Sequence, residues 1–295
     1  MKKNKFIYSM KCFSPSFKKR KIILCFMTLY LIGLGLGSEK DITLKGLEIV
    51  KRADIVYLEY YTSILGVNKD VLEAFYGREV LLADRTLVES QAEELLVEAA
   101  REKDVALLVV GDPFGATTHT DLLLRAQEAD VQVEVVHNAS VMNAVGKSGL
   151  ELYKFGKTTS IPFWDDGFEP QTPYDVIKMN KENGLHTLCL LDIKVNEPTK
   201  EELRKGLSPK NSQPRFMTVN QGLDILKKIE LQRGEDIIKD ETLVLGVARL
   251  GQEDETIIAG TIKELLNKDF GAPLHSLIIL GTLHDVEQEA LSLYK

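Results

Sequence analysis

Residues 28–33 form an apolar run without polar alternation, broken by Gly33, Gly35 and Gly37, and the chain turns polar at Ser38-Glu39-Lys40-Asp41. The pattern predicts a buried strand feeding a glycine-rich turn, with a ligand at the strand's carboxyl end. Apolar spacing over residues 41–50 predicts a helix, with Ser38 or Asp41 as its N-cap. Strands are expected at residues 54–59, 79–83, 105–110 and 131–136, and helices at 71–75, 89–102 and 122–128. Residues 105–110 are apolar throughout, as a strand covered on both faces should be. Strands alternating with helices over residues 28–137 predict a mostly parallel sheet, because parallel neighbours need crossovers.

Beyond His137 the pattern changes. Residues 140–152 read as helical, and 160–172, with Pro162, Trp164, Gly167 and Pro170, read as an irregular linker between lobes. The later chain predicts strands at 186–195, 242–249, 256–259 and 276–280, and helices near 174–182, 201–205, 219–232 and 263–267. Residues 208–217 read as an exposed loop. Three late strands on short connections favour antiparallel pairing in an α+β lobe. The expected organisation is a basic, disordered extension over 1–26, an α/β lobe over 27–160 and an α+β lobe over 161–295.

Composition supports two lobes. A chain of 295 residues exceeds what one core usually serves, and 44% hydrophobic with 27% charged residues is ordinary for a globular protein. Residues 1–26 hold eight Lys or Arg and no acid, so of the net charge of −7 the remainder carries about −15. An acidic body argues against non-specific nucleic-acid binding. Lys18-Lys19-Arg20-Lys21 followed by an apolar run has the layout of a secretory signal, but cleavage there would destroy the first strand. The expectation is therefore an extension foreign to the fold, with Met27 as the start of the folded protein and no membrane anchor. Cys12, Cys25 and Cys189 are too few and too scattered for a disulfide framework or zinc site, which fits a reducing compartment.

Three turns carry candidate chemistry. The first is the glycine turn. A dinucleotide fingerprint needs glycine at its first, third and sixth positions, and counted from Gly33 the sixth is Ser38. Glu59, at the end of the next strand, stands about where a ribose-binding acid would, so a nicotinamide oxidoreductase stays open beside a plain tight turn. The second turn, Gly111-Asp112-Pro113-Phe114-Gly115-Ala116-Thr117, places Asp112 at a strand end, either to accept from a ligand or as an ordinary Asp-Pro turn. The third, His137-Asn138-Ala139-Ser140-Val141-Met142-Asn143-Ala144, offers Asn138 or Ser140 to a ligand or as helix caps. His119, His137, His186, His275 and His284 lack metal-site spacing, and no nucleophile elbow or phosphate loop occurs.

Taken together, these turns resemble the diphthine synthases, within the tetrapyrrole-methylase-like class of S-adenosylmethionine methyltransferases. Tyr153-Lys154-Phe155-Gly156, Leu188-Cys189-Leu190-Leu191-Asp192-Ile193-Lys194 and Pro273-Leu274-His275-Ser276-Leu277-Ile278-Ile279 extend the resemblance from about Thr28 to the C-terminus. It implies a two-lobed, tetrapyrrole-methylase-like α/β fold, a homodimer in the cytoplasm, and S-adenosylmethionine bound between the lobes without a metal. Family donor contacts match Leu36, Asp112, Gly115, Ser140, Val141, Leu191, Leu250 and His275. The implied acceptor is a histidine of translation elongation factor 2 bearing a 3-amino-3-carboxypropyl group, methylated repeatedly on its amine and, in the eukaryotic type, once on its carboxylate. No residue is assigned as general base.

Overall fold

The computed structural model describes residues 27–61, 63–165, 167–195 and 213–295. The expected extension 1–26, the helix at 201–205 and the first part of the loop at 208–217 lie outside the described residues.

The first sheet is wholly parallel. Its strands are β1 (Thr28–Gly33), β2 (Ile55–Glu59), β3 (Leu81–Ala83), β4 (Val105–Val109) and β5 (Gln132–Val136), in the order β3-β2-β4-β1-β5. β1 and β4 are buried at every position, as their unbroken apolar runs require. Helices α1 (Leu44–Arg52), α2 (Lys69–Tyr76) and α3 (Thr120–Glu128) lie among the crossovers. α1 starts later than its apolar spacing predicts. Ser38 caps only a tight turn at Glu39–Asp41, Ile42 is extended, and the Thr43 hydroxyl accepts from the Gly46 N–H at 3.0 Å to start α1. The helix expected at 89–102 is instead a series of π turns at Thr86–Ser90 and Glu93–Glu98 and a 3₁₀ turn at Ala99–Arg101. It still buries Leu96, Val97 and Ala100. The helix expected over 140–152 is cut into α4 (Val141–Ala144) and a 3₁₀ turn to Ser148, ended by Gly149 at φ 84°.

The second sheet is mixed, in the order β11-β10-β12-β7-β6. It comprises β6 (Thr159–Ile161), β7 (Thr187–Leu191), β10 (Leu243–Ala248), β11 (Thr256–Thr261) and β12 (His275–Ile279). Only β6 and β7 run parallel, joined through α5 (Thr172–Glu182); the late strands pair antiparallel as expected. The strand expected at 186–195 divides at Asp192. β8 (Ile193–Lys194) leaves the sheet to pair with β9 (Arg215–Phe216), because Asp192 takes the Phe163 N–H on its carboxylate and the Met217 N–H on its carbonyl. Helices α6 (Val219–Arg233), α7 (Ile262–Leu265) and α8 (Asp285–Ser292) complete the chain; the last has no counterpart in the sequence reading. The core here includes Tyr174, Ile177, Leu223, Leu226 and Phe270, and each large apolar side chain so buried contributes about 1.5–3 kcal/mol.

Candidate functional site

The carboxyl ends of the parallel strands and the near edge of the mixed sheet enclose a cleft of about 350 Å³. It falls within the range typical of small-molecule sites, roughly 300–1,000 Å³.

Packing between turns builds its first wall. Gly35 and Gly111 exchange backbone hydrogen bonds at 3.2 and 2.7 Å, and Gly35 holds φ at 76°, a conformation that glycine adopts without strain. The glycine turn also meets the other lobe: a side chain at Gly37 would stand 2.5 Å from the Gly251 carbonyl oxygen. These glycines thus let backbone approach backbone, and the residue they turn into the cleft is Leu36. The N–H groups of Leu34, Gly35 and Gly37 are already taken by Val109, Gly111 and Asp41, so the turn presents no row of donors to a pyrophosphate. Glu59 is 1% exposed and accepts from the Tyr61 N–H at 2.9 Å. That burial gives a ribose-binding role for Glu59, and the oxidoreductase reading that needs it, no support.

Asp112 behaves as a clasp. One carboxylate oxygen accepts from the Phe114 N–H at 2.9 Å; the other accepts from the Asn138 N–H at 3.0 Å and meets the His137 Nδ1 at 2.9 Å. Burial opposes its ionisation, but the two backbone N–H groups and the imidazole hold its pKa below the ordinary carboxylate value. The clasp joins the turns after β4 and β5, and Asp112 itself is not on the cleft wall. Asn138 ties in the third turn, donating to the carbonyls of Gly33 (3.0 Å) and Asp41 (2.9 Å). Ser140 caps α4, its N–H reciprocally bound by Asn143, and still lines the cleft beside Gly115 and Val141.

The mixed sheet supplies Leu191, Leu250 and His275. His275 is 6% exposed; its Nδ1 accepts from the Val219 N–H at 3.4 Å, so its Nε2–H donates to the Ala272 carbonyl at 3.0 Å. Burial lowers its pKa despite that carbonyl, leaving a neutral ring with both nitrogens engaged and none to serve as a base. His119 is buried off the cleft, with Nδ1 3.0 Å from the Pro113 carbonyl. Seven of the eight positions expected from the resemblance therefore border one space, with Asp112 behind it. Thr117, the last residue of the second turn, borders it as well, as do Tyr61, Arg85 and Arg249, which were not singled out in the sequence. Their only local signal was position, since Tyr61 and Arg85 follow strands β2 and β3.

Residues 28–266 match the Tetrapyrrole (Corrin/Porphyrin) Methylases. The chain belongs to the tetrapyrrole methylase family. Among relatives of this tetrapyrrole methylase, the diphthine methyl ester synthase of Homo sapiens is 53% identical over 271 residues, covering 90% of this chain and 94% of that one. That of Dictyostelium discoideum is 52% identical over 271 residues, covering 91% and 98%. A crystal structure from Entamoeba histolytica superposes with a TM-score of 0.81 at 44% identity, covering 91% of this chain and 98% of that one. The methylase fold thus takes the form of a parallel sheet and a mixed sheet with the cleft between them.

The wall chemistry fits a sulfonium donor. Leu36, Val141, Leu191 and Leu250 offer apolar surface for a purine, and Ser140 a hydroxyl. No thiol lines the described wall; Cys189 is fully buried, and burial pushes its pKa up. Among the described residues no group of His, Cys, Asp or Glu is arranged to hold a metal, and no helix is long and apolar enough to cross a membrane.

Proposed function

We propose that this protein is an S-adenosylmethionine-dependent diphthine synthase of the methyl ester type. Its acceptor on this reading is the 3-amino-3-carboxypropyl-histidine of translation elongation factor 2. The observation that carries the reading is the single cleft bordered by Leu36, Gly115, Ser140, Val141, Leu191, Leu250 and His275, in a chain that aligns over nine-tenths of its length with diphthine methyl ester synthases. The reading takes residues 27–160 and 161–295 as the two lobes, a homodimer as the working assembly and the cytoplasm as its location.

When bound, the donor supplies an electrophilic methyl group on sulfur. The protein's part is alignment, since the acceptor brings its own nucleophile. Leu36 and Leu250 would press on the donor from opposite lobes, Ser140 would offer it a hydroxyl, and the Asp112 clasp would hold the two turns behind it in register. The neutral, doubly hydrogen-bonded His275 shapes the wall without exchanging a proton. Water is left to receive the proton that the acceptor amine loses.

Incubation with labelled S-adenosylmethionine and elongation factor 2 carrying the unmethylated side chain tests the reading. Label should enter the factor, with mass increments for three methyl groups and then a fourth, base-labile one. A folded protein that binds S-adenosylmethionine calorimetrically yet transfers no label refutes the reading.

A further inference from the structure

Two segments of the mixed sheet bring expected donor contacts to the cleft. One is the turn from β10 to β11, residues 249–255, which carries Leu250; the other is residues 270–274, which run into β12 at His275. The pairing of β10 with β12 ends at the rung of Ala248 and His275, so beyond it the sheet ladder no longer ties the two segments together. The first segment also meets the parallel sheet's glycine turn, since a side chain at Gly251 would stand 2.9 Å from the Leu36 Cβ.

Arg249 joins them. Its backbone N–H donates to the Leu274 carbonyl at 2.9 Å, and its side chain is 8% exposed. Across the β10–β11 turn, Nε donates to the Asp254 carboxylate at 2.7 Å, and Nη2 to the Asp254 carbonyl at 2.8 Å and the Thr256 hydroxyl at 3.1 Å. Towards β12, Nη1 donates to the carbonyls of Phe270, at 2.8 Å, and Ala272. Together these bonds account for every N–H of a guanidinium. The Ala272 carbonyl is also the acceptor that His275 Nε2–H uses at 3.0 Å, so one oxygen serves both residues. Gly271 makes room for the fork: a Cβ there would lie 3.3 Å from both terminal nitrogens. The Arg249 backbone is held at φ 50°, in the left-handed region that glycine favours, and a residue with a Cβ persists there only where its surroundings over-determine it. An arginine thus stands where the backbone alone calls for glycine, which points to the side chain as what the position needs.

We propose that Arg249 is a positioning residue for the methyl donor, fixing Leu250 and His275 as one wall while sharing no hydrogen bond with the donor itself. The role rests on the assignment of this cleft to S-adenosylmethionine within the proposed function. With every N–H engaged by the protein, the guanidinium recognises nothing in the cleft and acts through the two segments it ties. A wall ordered in advance spares the donor the cost of ordering it on binding. Lysine cannot take over, because its donors all sit on one atom and do not span acceptors on two segments. Since Leu250 and His275 are both expected donor contacts, the loss of the tie falls on the donor and leaves the protein acceptor's binding alone.

Calorimetry with S-adenosylmethionine and steady-state label transfer to elongation factor 2 test the role in Arg249→Gly and Arg249→Lys. The first suits the backbone and removes the fork; the second keeps the charge and removes the fork. Both should unfold cooperatively, with Kd and KM for the donor raised about tenfold or more. KM for the factor, and kcat at saturating donor, should stay within about threefold of wild type. A donor Kd for Arg249→Gly within about twofold of wild type overturns the role. Wild-type donor affinity in Arg249→Lys overturns it too, since charge without the fork would then suffice, and so does an equal rise in KM for donor and factor, which marks a general disturbance of the cleft. Loss of cooperative unfolding in both variants overturns it by confining Arg249 to the fold. A wild-type protein that binds no S-adenosylmethionine removes the proposed function and this role together, whereas donor binding without transfer removes that function and leaves the role to stand or fall on the calorimetry.

Discussion

Two places in this molecule pair a histidine with a carboxylate, and they differ in burial. Behind the mixed sheet, Glu287 is fully buried and accepts from Lys154 Nζ at 2.5 Å, His186 Nε2 at 3.1 Å, and the N–H groups of Glu151 and His284 at 3.0 and 2.9 Å. His186, also fully buried, accepts the Gly281 N–H on Nδ1 at 3.0 Å, which fixes its proton on Nε2. Burial alone would raise the Glu287 pKa; Lys154, the two backbone N–H groups and His186 outweigh it and bring the value down to about 2. The cluster is closed to solvent and fastens the last helix onto the segment at Tyr153. Behind the cleft, Asp112 and His137 also pair at 2.9 Å, but the His137 side chain is 70% exposed. The residue types agree, yet burial separates a closed fastening from a clasp whose imidazole faces solvent.

The sharpest break of this comparison is Glu287→Ala. It leaves Lys154 without its counter-charge and the His186 Nε2–H without its acceptor, and should cost about 3–5 kcal/mol of unfolding free energy, read by denaturant titration. The same carboxylate makes stability depend on acid. Its folded pKa lies below the ordinary 4.5, so its contribution is complete above about pH 4.5 and disappears as the pH falls towards 2. Glu287→Gln should flatten the stability profile across that window. Next in size, Asp112→Ala releases the Phe114 and Asn138 N–H groups and should weaken S-adenosylmethionine binding by about 1–3 kcal/mol in calorimetry. Unchanged affinity would show that the clasp has no bearing on the cleft. The smallest effect belongs to His137→Ala, an exposed partner whose loss should cost about 1 kcal/mol or less in stability. A loss there equal to that of Glu287→Ala would erase the distinction between the two clusters.

Where burial on both faces dictated the residue pattern, the fold was legible. The apolar runs at 28–33 and 105–110 are β1 and β4, and the late strands pair antiparallel as their short connections required. Reading failed where local geometry competes with spacing. α1 waits for Thr43 because Ser38 is spent on an earlier turn, and 86–101 keeps a buried stripe while winding as π and 3₁₀ turns. α8 escaped notice because its buried residues are Glu287 and Leu291, and a buried glutamate looks like a solvated one until its partners, up to 136 residues away, are in place.

The sequence by itself determined the parallel sheet, the three turns at its strand ends and the segments that ally the chain with the methylases, since these depend on local apolar patterning and uninterrupted motifs. Tertiary structure decided what those turns do. Gly35 and Gly37 serve contacts with Gly111 and Gly251, Asp112 clasps two turns instead of facing the cleft, and Glu59 is buried. It also decided that Tyr61 and Arg85 share a wall with Leu36 and Leu250. The reason is physical: a side chain's partners are fixed by strand order and by the approach of two sheets, and neither is encoded in the spacing of residues along one strand.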